Sequence, residues 1–162
     1  MTRVVVIGVG NPYRGDDAAG LAVAERLQSL VREGVSVLPC EQEPTRIIDA
    51  WKDARAAVIV DAVQSGADPG TLHRVDASRE PVPASVFRSS THAFGVGETI
   101  ELARALGRLP ERIVVYGVEG ATFAAGVGLT PQVETAVGWL VKAVLGDLEH
   151  LVREEEPCTS GH

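Results

Sequence analysis

Cysteine is scarce in this 162-residue chain. Cys40 and Cys158 stand far apart and form no CxxC pair, which speaks against a disulfide framework and against a thiolate zinc knuckle. Cys40 reads as a small apolar residue at a strand end. Clusters of positive charge are missing as well. The chain has 15 Lys and Arg against 22 Asp and Glu, a formal charge of -7. Nucleic acids and anionic membranes both draw affinity from concentrated positive charge, so neither is an expected partner. The first apolar run, Val4-Val5-Val6-Ile7, is far shorter than a signal-peptide core or a membrane span. The expected compartment is the cytoplasm.

Several catalytic signatures are also lacking. No GxxxxGK[ST] loop appears, which removes the simplest ATP or GTP site, and neither a GxSxG elbow nor an HExxH helix is present. Gly8-x-Gly10 lacks the third glycine of the dinucleotide fingerprint because position 13 is Tyr. Glu41 is the only acidic residue near the ribose distance. No nucleotide cofactor is expected. Ser89 and Ser90 lie near His92, but a run of small hydroxyl residues is the ordinary chemistry of a turn.

With 45% hydrophobic residues, a chain of this length matches one domain with an ordinary core. We expect that domain over residues 1–150 and an acidic tail over 151–162. In that tail a metal clip of Cys158 with His162 is an alternative to plain solvated chain. Three apolar runs bounded by turn signals alternate with helical patterns: Val4 to Ile7, Ala57 to Val60 ending at Asp61, and Ile113 to Tyr116 ending at Gly117. This is the form of a parallel sheet covered on both faces. Val35 to Leu38 reads as a further strand after Gly34, which would close the first helix. Thr71 to Val75, after Asp68-Pro69-Gly70, reads as an antiparallel edge strand. Helices are expected from Ala18 to Val31, from Thr45 to Lys52, from Gly97 to Leu106, and from Pro131 to Val144 or beyond, the last with Thr130 as N-cap. The fold class is therefore α/β, a three-layer, mostly parallel twisted sheet of about five strands with helices on both faces.

The densest chemical signal follows the first strand. Gly8, Gly10, Asn11 and Gly20 shape a loop that holds Asp16 and Asp17 near a helix start, where negative charge is favoured. Helix capping alone also accounts for two Asp residues there. In open α/β sheets ligands bind at the carboxyl ends of the strands. That rim collects Asn11, Asp16 and Asp17 from the first loop, Asp61 after the second strand and Glu119 after the third. An Asp closing a Val-Ile-Val strand needs hydrogen bonds from a neighbouring loop or a cation. If the loop Ser89 to Gly95 folds over the same rim, His92 completes an N/O ligand set suited to nickel, zinc, iron or manganese, with open positions for substrate. His73, on the edge strand, His150 and His162 are weaker candidates.

The ordered series Gly8-x-Gly10-Asn11-x4-Asp16-Asp17-x2-Gly20, Val60-Asp61-Ala62, Thr91-His92-x2-Gly95, Gly117-Val118-Glu119 and Gly128-Leu129-Thr130-Pro131-x-Val133 resembles the nickel-iron hydrogenase maturation endopeptidases, over roughly residues 3 to 148. The resemblance implies an endopeptidase that trims the C-terminal extension of a nickel-iron hydrogenase large-subunit precursor after nickel insertion. It implies nickel supplied by that substrate, and Asp17, Asp61 and His92 as its contacts. The first-loop ligand is often Glu in the family and is Asp17 here, so Asp16 is kept as a further catalytic candidate. A nickel-binding chaperone that does not cleave is the alternative. Docking of a large partner calls for an exposed apolar patch, with Pro12, Tyr13 and Phe94 as candidates.

Overall fold

The computed structural model describes residues 4–87 and 94–154. Its first strand, β1 (Val4–Val9), is buried at all six positions. An unbroken apolar run without alternation is what a strand flanked on both sides and covered on both faces requires. After a 3-10 turn at Gly15–Ala18 follow α1 (Ala19–Leu27), β2 (Val35–Cys40), α2 (Pro44–Ala50), β3 (Ala56–Val63), β4 (Leu72–Asp76), α3 (Ala84–Phe87), α4 (Val96–Ala105), β5 (Arg112–Glu119) and α5 (Pro131–Arg153). The five strands lie in the order β2-β1-β3-β5-β4. All neighbours are parallel except β4, which runs antiparallel along β5 at one edge.

The period of two along the strands splits the core into two layers. Val4, Val6, Val58, Val60, Val114 and Val118 pack against Val23 and Leu27 of α1 and Val137, Leu140 and Val144 of α5. Val5, Ile7, Ala57, Ile59, Ile113 and Val115 pack on the opposite face against Ile47 and Ile48 of α2 and Ile100 and Ala103 of α4. The expected fold class is the one observed. The chain leaves β1 toward β2 on one side and returns from β2 to β3 on the other. The connections therefore diverge at the carboxyl ends of β1 and β3, where an open sheet leaves a crevice.

Several boundaries differ from the sequence expectations. Helix α1 stops at Leu27 rather than near Val31, and Gly34, with φ 89°, belongs to the turn into β2 rather than to a helix cap. Strand β3 continues past Asp61 to Val63, and β5 past Gly117 to Glu119. The parallel ladder pairs Asp61 with Gly117, Ala62 with Val118 and Val63 with Glu119. A backbone ladder is indifferent to the polarity of the side chains it carries, so a carboxylate did not end the strand. The short α3 was not foreseen. Finally, α5 runs beyond Val144, as expected, through Arg153, and buries Leu151.

Candidate functional site

Three glycines press the first loop onto the sheet. A Cβ on Gly8 would overlap the carbonyl oxygen of Gly20, one on Gly10 that of Asp17, and one on Gly20 those of Val9 and Val60. None of the three has a positive φ; the need is for close backbone approach. The start of α1 is thereby packed against the carboxyl ends of β1 and β3. Asn11 fixes the intervening turn: its Oδ1 accepts from the Tyr13 amide at 2.9 Å and its amide donates to Asp17 Oδ2 at 3.1 Å.

The adjacent aspartates are turned to different tasks. Asp16 is buried and accepts four hydrogen bonds, from the amides of Ala121 (2.7 Å), Thr122 (3.1 Å) and Thr130 (2.8 Å) and from Thr130 Oγ1 (2.8 Å). Burial works against its charge, but these donors outweigh it and hold the carboxyl below the usual carboxylate range. Asp16 thus ties the first loop to the β5–α5 connection. Thr130 stands at the N-cap position of α5, yet its side chain serves Asp16 rather than the helix. The N-cap position of α1 is taken by Ala18 rather than by either Asp. Asp17 is half-buried and faces the open side of the loop.

Asp61 is the unusual group of the site. It lies inside β3, 5% exposed, and its Oδ1 has no hydrogen-bond partner among the described residues. Burial first, and then the charge of Asp17, push its carboxyl well above the usual range, with only the Ala62 amide acting in the other direction. Asp17 and Asp61 sit on either side of the point where the chain connections diverge, one in the loop after β1 and one on β3. An unsatisfied buried carboxylate next to a second carboxylate is costly by itself and is relieved by a cation or a proton.

Glu119, the third rim carboxylate, is fully supplied. It accepts from the Ser65 amide (3.1 Å), from Ser65 Oγ, and pairs with His73 Nε2 at 3.0 Å. It fastens the β3–β4 connection to the end of β5, where Gly70 also donates to the Glu119 carbonyl at 2.8 Å. The antiparallel register places His73 opposite Gly117, two residues before Glu119 on the same face. This gave His73 a partner that its sequence position alone did not reveal.

His92, with Ser89 and Ser90, lies outside the described residues; Phe94 is within them and half-buried. Among the described residues no group of three or more His, Cys, Asp or Glu could hold a metal ion. A groove of about 560 Å³ runs beside Asp17, lined by Gly10, Asn11, Pro12, Tyr13, Glu41, Gln42 and Glu43. The sequence reading missed Glu41 and Glu43 as groove residues. The parallel register of β2 on β1, which sets Cys40 beside Val9 and so brings the next residues to the first loop, is the signal that would have found them.

Fold and rim together define an α/β protein with an acidic rim where the connections of a mostly parallel sheet diverge. Residues 21–147 match the HycI hydrogenase maturation protease family. The chain is 27% identical over 164 residues to the hydrogenase 2 maturation protease of Escherichia coli, covering 99% of both chains. It is 28% identical over 138 residues to the hydrogenase expression/formation protein HupD of Thiocapsa roseopersicina, spanning 83% of this chain but only 62% of that relative's length. Its fold superposes with a TM-score of 0.79 on the hydrogenase maturating endopeptidase HybD of Escherichia coli, at 26% identity and covering 92% and 93% of the two chains. It also superposes with a TM-score of 0.70 on the maturation protease HycI of Thermococcus kodakarensis, at 28% identity and covering 91% and 93%.

This chain belongs to the hydrogenase maturation protease family, a family of peptide-bond hydrolases. Asp61 and His92 fall within the matched span, and the glycine loop with Asp16 and Asp17 precedes it.

Proposed function

We propose that this chain is the endopeptidase that removes the C-terminal extension of a nickel-iron hydrogenase large-subunit precursor, acting in the cytoplasm once nickel has been inserted. Nickel in this reading belongs to the substrate. The observation that carries it is Asp61: a buried carboxylate with one oxygen unpartnered, beside Asp17, at the carboxyl end of the sheet. A protein gains nothing for its own stability by keeping such a group. A divalent cation arriving with the substrate would satisfy both carboxylates, and His92 would supply the imidazole of an N/O set.

The chemistry then follows from placement. Contacts to the nickel fix the precursor against the rim, so that the bond at the root of its extension is held next to a carboxylate. Hydrolysis adds water across that amide: the new carboxyl takes the oxygen and the released amine takes a proton. Asp17 and Asp61, carboxylates in different surroundings, are the groups able to accept and return that proton. Asp16, spent on loop amides, supports the rim from behind.

The test is the intact mass of a nickel-loaded large-subunit precursor before and after incubation with this protein. Loss of a C-terminal peptide with the nickel-loaded precursor, and none with the nickel-free form, is the expected result. Retention of full mass while a complex forms would favour a nickel-binding chaperone that does not cleave.

A further inference from the structure

Tyr13 and Val127 are the most exposed large apolar side chains among the described residues, at 69% and 85%. They stand on neighbouring loops, one after β1 and one before α5. The loops are zipped by their backbones. Gly126 N donates to Tyr13 O and Gly15 N to Gly126 O, each at 2.9 Å, and Arg14 and Gly126 form a parallel bridge. Arg14 Nε adds a bond to Phe123 O at 3.4 Å, and Asp16 clamps the base of both loops. The two apolar tips are thus held out to solvent by a stiff frame and contribute little to the core.

The Tyr13 tip borders the site. Tyr13 lines the groove that runs to Asp17, and the groove's far wall carries Glu41 and Glu43. Arg46 pairs with both glutamates, at 3.8 and 2.9 Å, so two carboxylates there share one guanidinium. A segment entering such a groove is favoured if it brings positive charge.

We propose that Tyr13 and Val127 form a preformed apolar lip that docks an extended segment of the large-subunit precursor, with an apolar residue seated on the lip and a cationic side chain in the groove behind it. This rests on the endopeptidase reading above and names the surface by which the substrate is taken up. Burial of a tyrosine ring on a rigid frame costs little ordering, and tyrosine recurs where such contacts dominate binding. The segment that crosses the lip is delivered to Asp17.

The experiment measures binding of the nickel-loaded precursor to the full-length Asp61→Asn protein, alone and with Tyr13→Ser, Val127→Ser or Glu41→Lys added. Each lip substitution is expected to raise Kd about tenfold, the magnitude of a contact residue at the centre of an interface. Glu41→Lys is expected to raise it severalfold, and melting temperatures are expected to stay unchanged. In the parent protein KM should rise by matching factors. An unchanged Kd in both lip variants would overturn the lip, and tighter binding by Glu41→Lys would overturn the cationic occupant. If the parent binds the precursor without trimming it, the endopeptidase reading fails while the lip is still judged by Kd. If the parent trims normally and the lip variants bind as it does, the lip alone fails.

Discussion

Asp16 and Asp61 are both buried aspartates at the same end of the sheet, and their surroundings are opposite. Asp16 is met by four donors and is held charged; Asp61 keeps an oxygen with no partner among the described residues, beside another carboxylate, and is pushed toward its neutral form. Burial is common to the two and therefore cannot be what distinguishes them. The supply of donors does. Glu119 falls on the Asp16 side of this division, with Ser65 and His73 supplying its oxygens. On the reading proposed above, a fold that satisfies two buried carboxylates and leaves a third beside its neighbour's charge keeps that third one for a cation from outside the chain.

The largest effect that sharpens this contrast is on cleavage. Asp61→Asn preserves shape and removes the charge, and should lower the trimming rate of nickel-loaded precursor by about a thousandfold, the scale of losing a charged group at the reacting centre. Single-turnover mass spectrometry reads it. Asp16→Asn is expected to act instead through stability, losing about 3 kcal/mol as loop amides are left facing a donor rather than an acceptor. For a domain of this size that lowers Tm by roughly 10 °C, and residual folded protein should retain most of its turnover. If Asp16→Asn left Tm unchanged and abolished cleavage, the division would be broken.

A smaller effect comes from a cluster far from the rim. Tyr116 donates to Asp147, which Arg74 also grips through Nη2 at 2.8 Å and Nε at 3.1 Å, joining the sheet edge to α5. Burial and the Asp147 hydrogen bond raise the Tyr116 hydroxyl to about 12 from an ordinary 10.0. A folded-state value above the unfolded one stabilises fully below the lower value and is lost as pH climbs through the higher. Tyr116→Phe should therefore cost about 1 kcal/mol at neutral pH, and the difference from the parent should fade between about pH 10 and 12. Chemical denaturation across that range checks it.

How much of this was legible in the sequence follows the physics of each feature. Strands β1, β3 and β5 announced themselves because a strand buried on both faces must be apolar throughout, and β4 because a turn and alternation mark a half-exposed edge. Their ends were not legible: Asp61 and Gly117 look like terminators in one dimension, while the ladder between the two strands carries pairing past both, to Val63 and Glu119. The three glycines were readable as a loop motif, but their reason, backbone packed on backbone, needed Gly20 against Val9 and Val60 in space. The neighbours Asp16 and Asp17 are equivalent in sequence. What separates them is a set of donors more than a hundred residues away, at Ala121, Thr122 and Thr130, which no local pattern encodes.

The most direct test of the division between the two buried aspartates is thermal unfolding of Asp16→Asn and Asp61→Asn side by side, from acid to neutral pH. A raised folded-state value, as at Asp61, stabilises at low pH and is lost as pH rises. Asp61→Asn should accordingly melt higher than the parent at neutral pH and lose that advantage in acid. Asp16 has the lowered value, so its contribution is present at neutral pH and disappears as pH falls. Asp16→Asn should melt lower at neutral pH and approach the parent in acid. Shifts of opposite sign at neutral pH are the predicted result; loss of stability in both variants would show that Asp61 is a structural carboxylate and contradict the account.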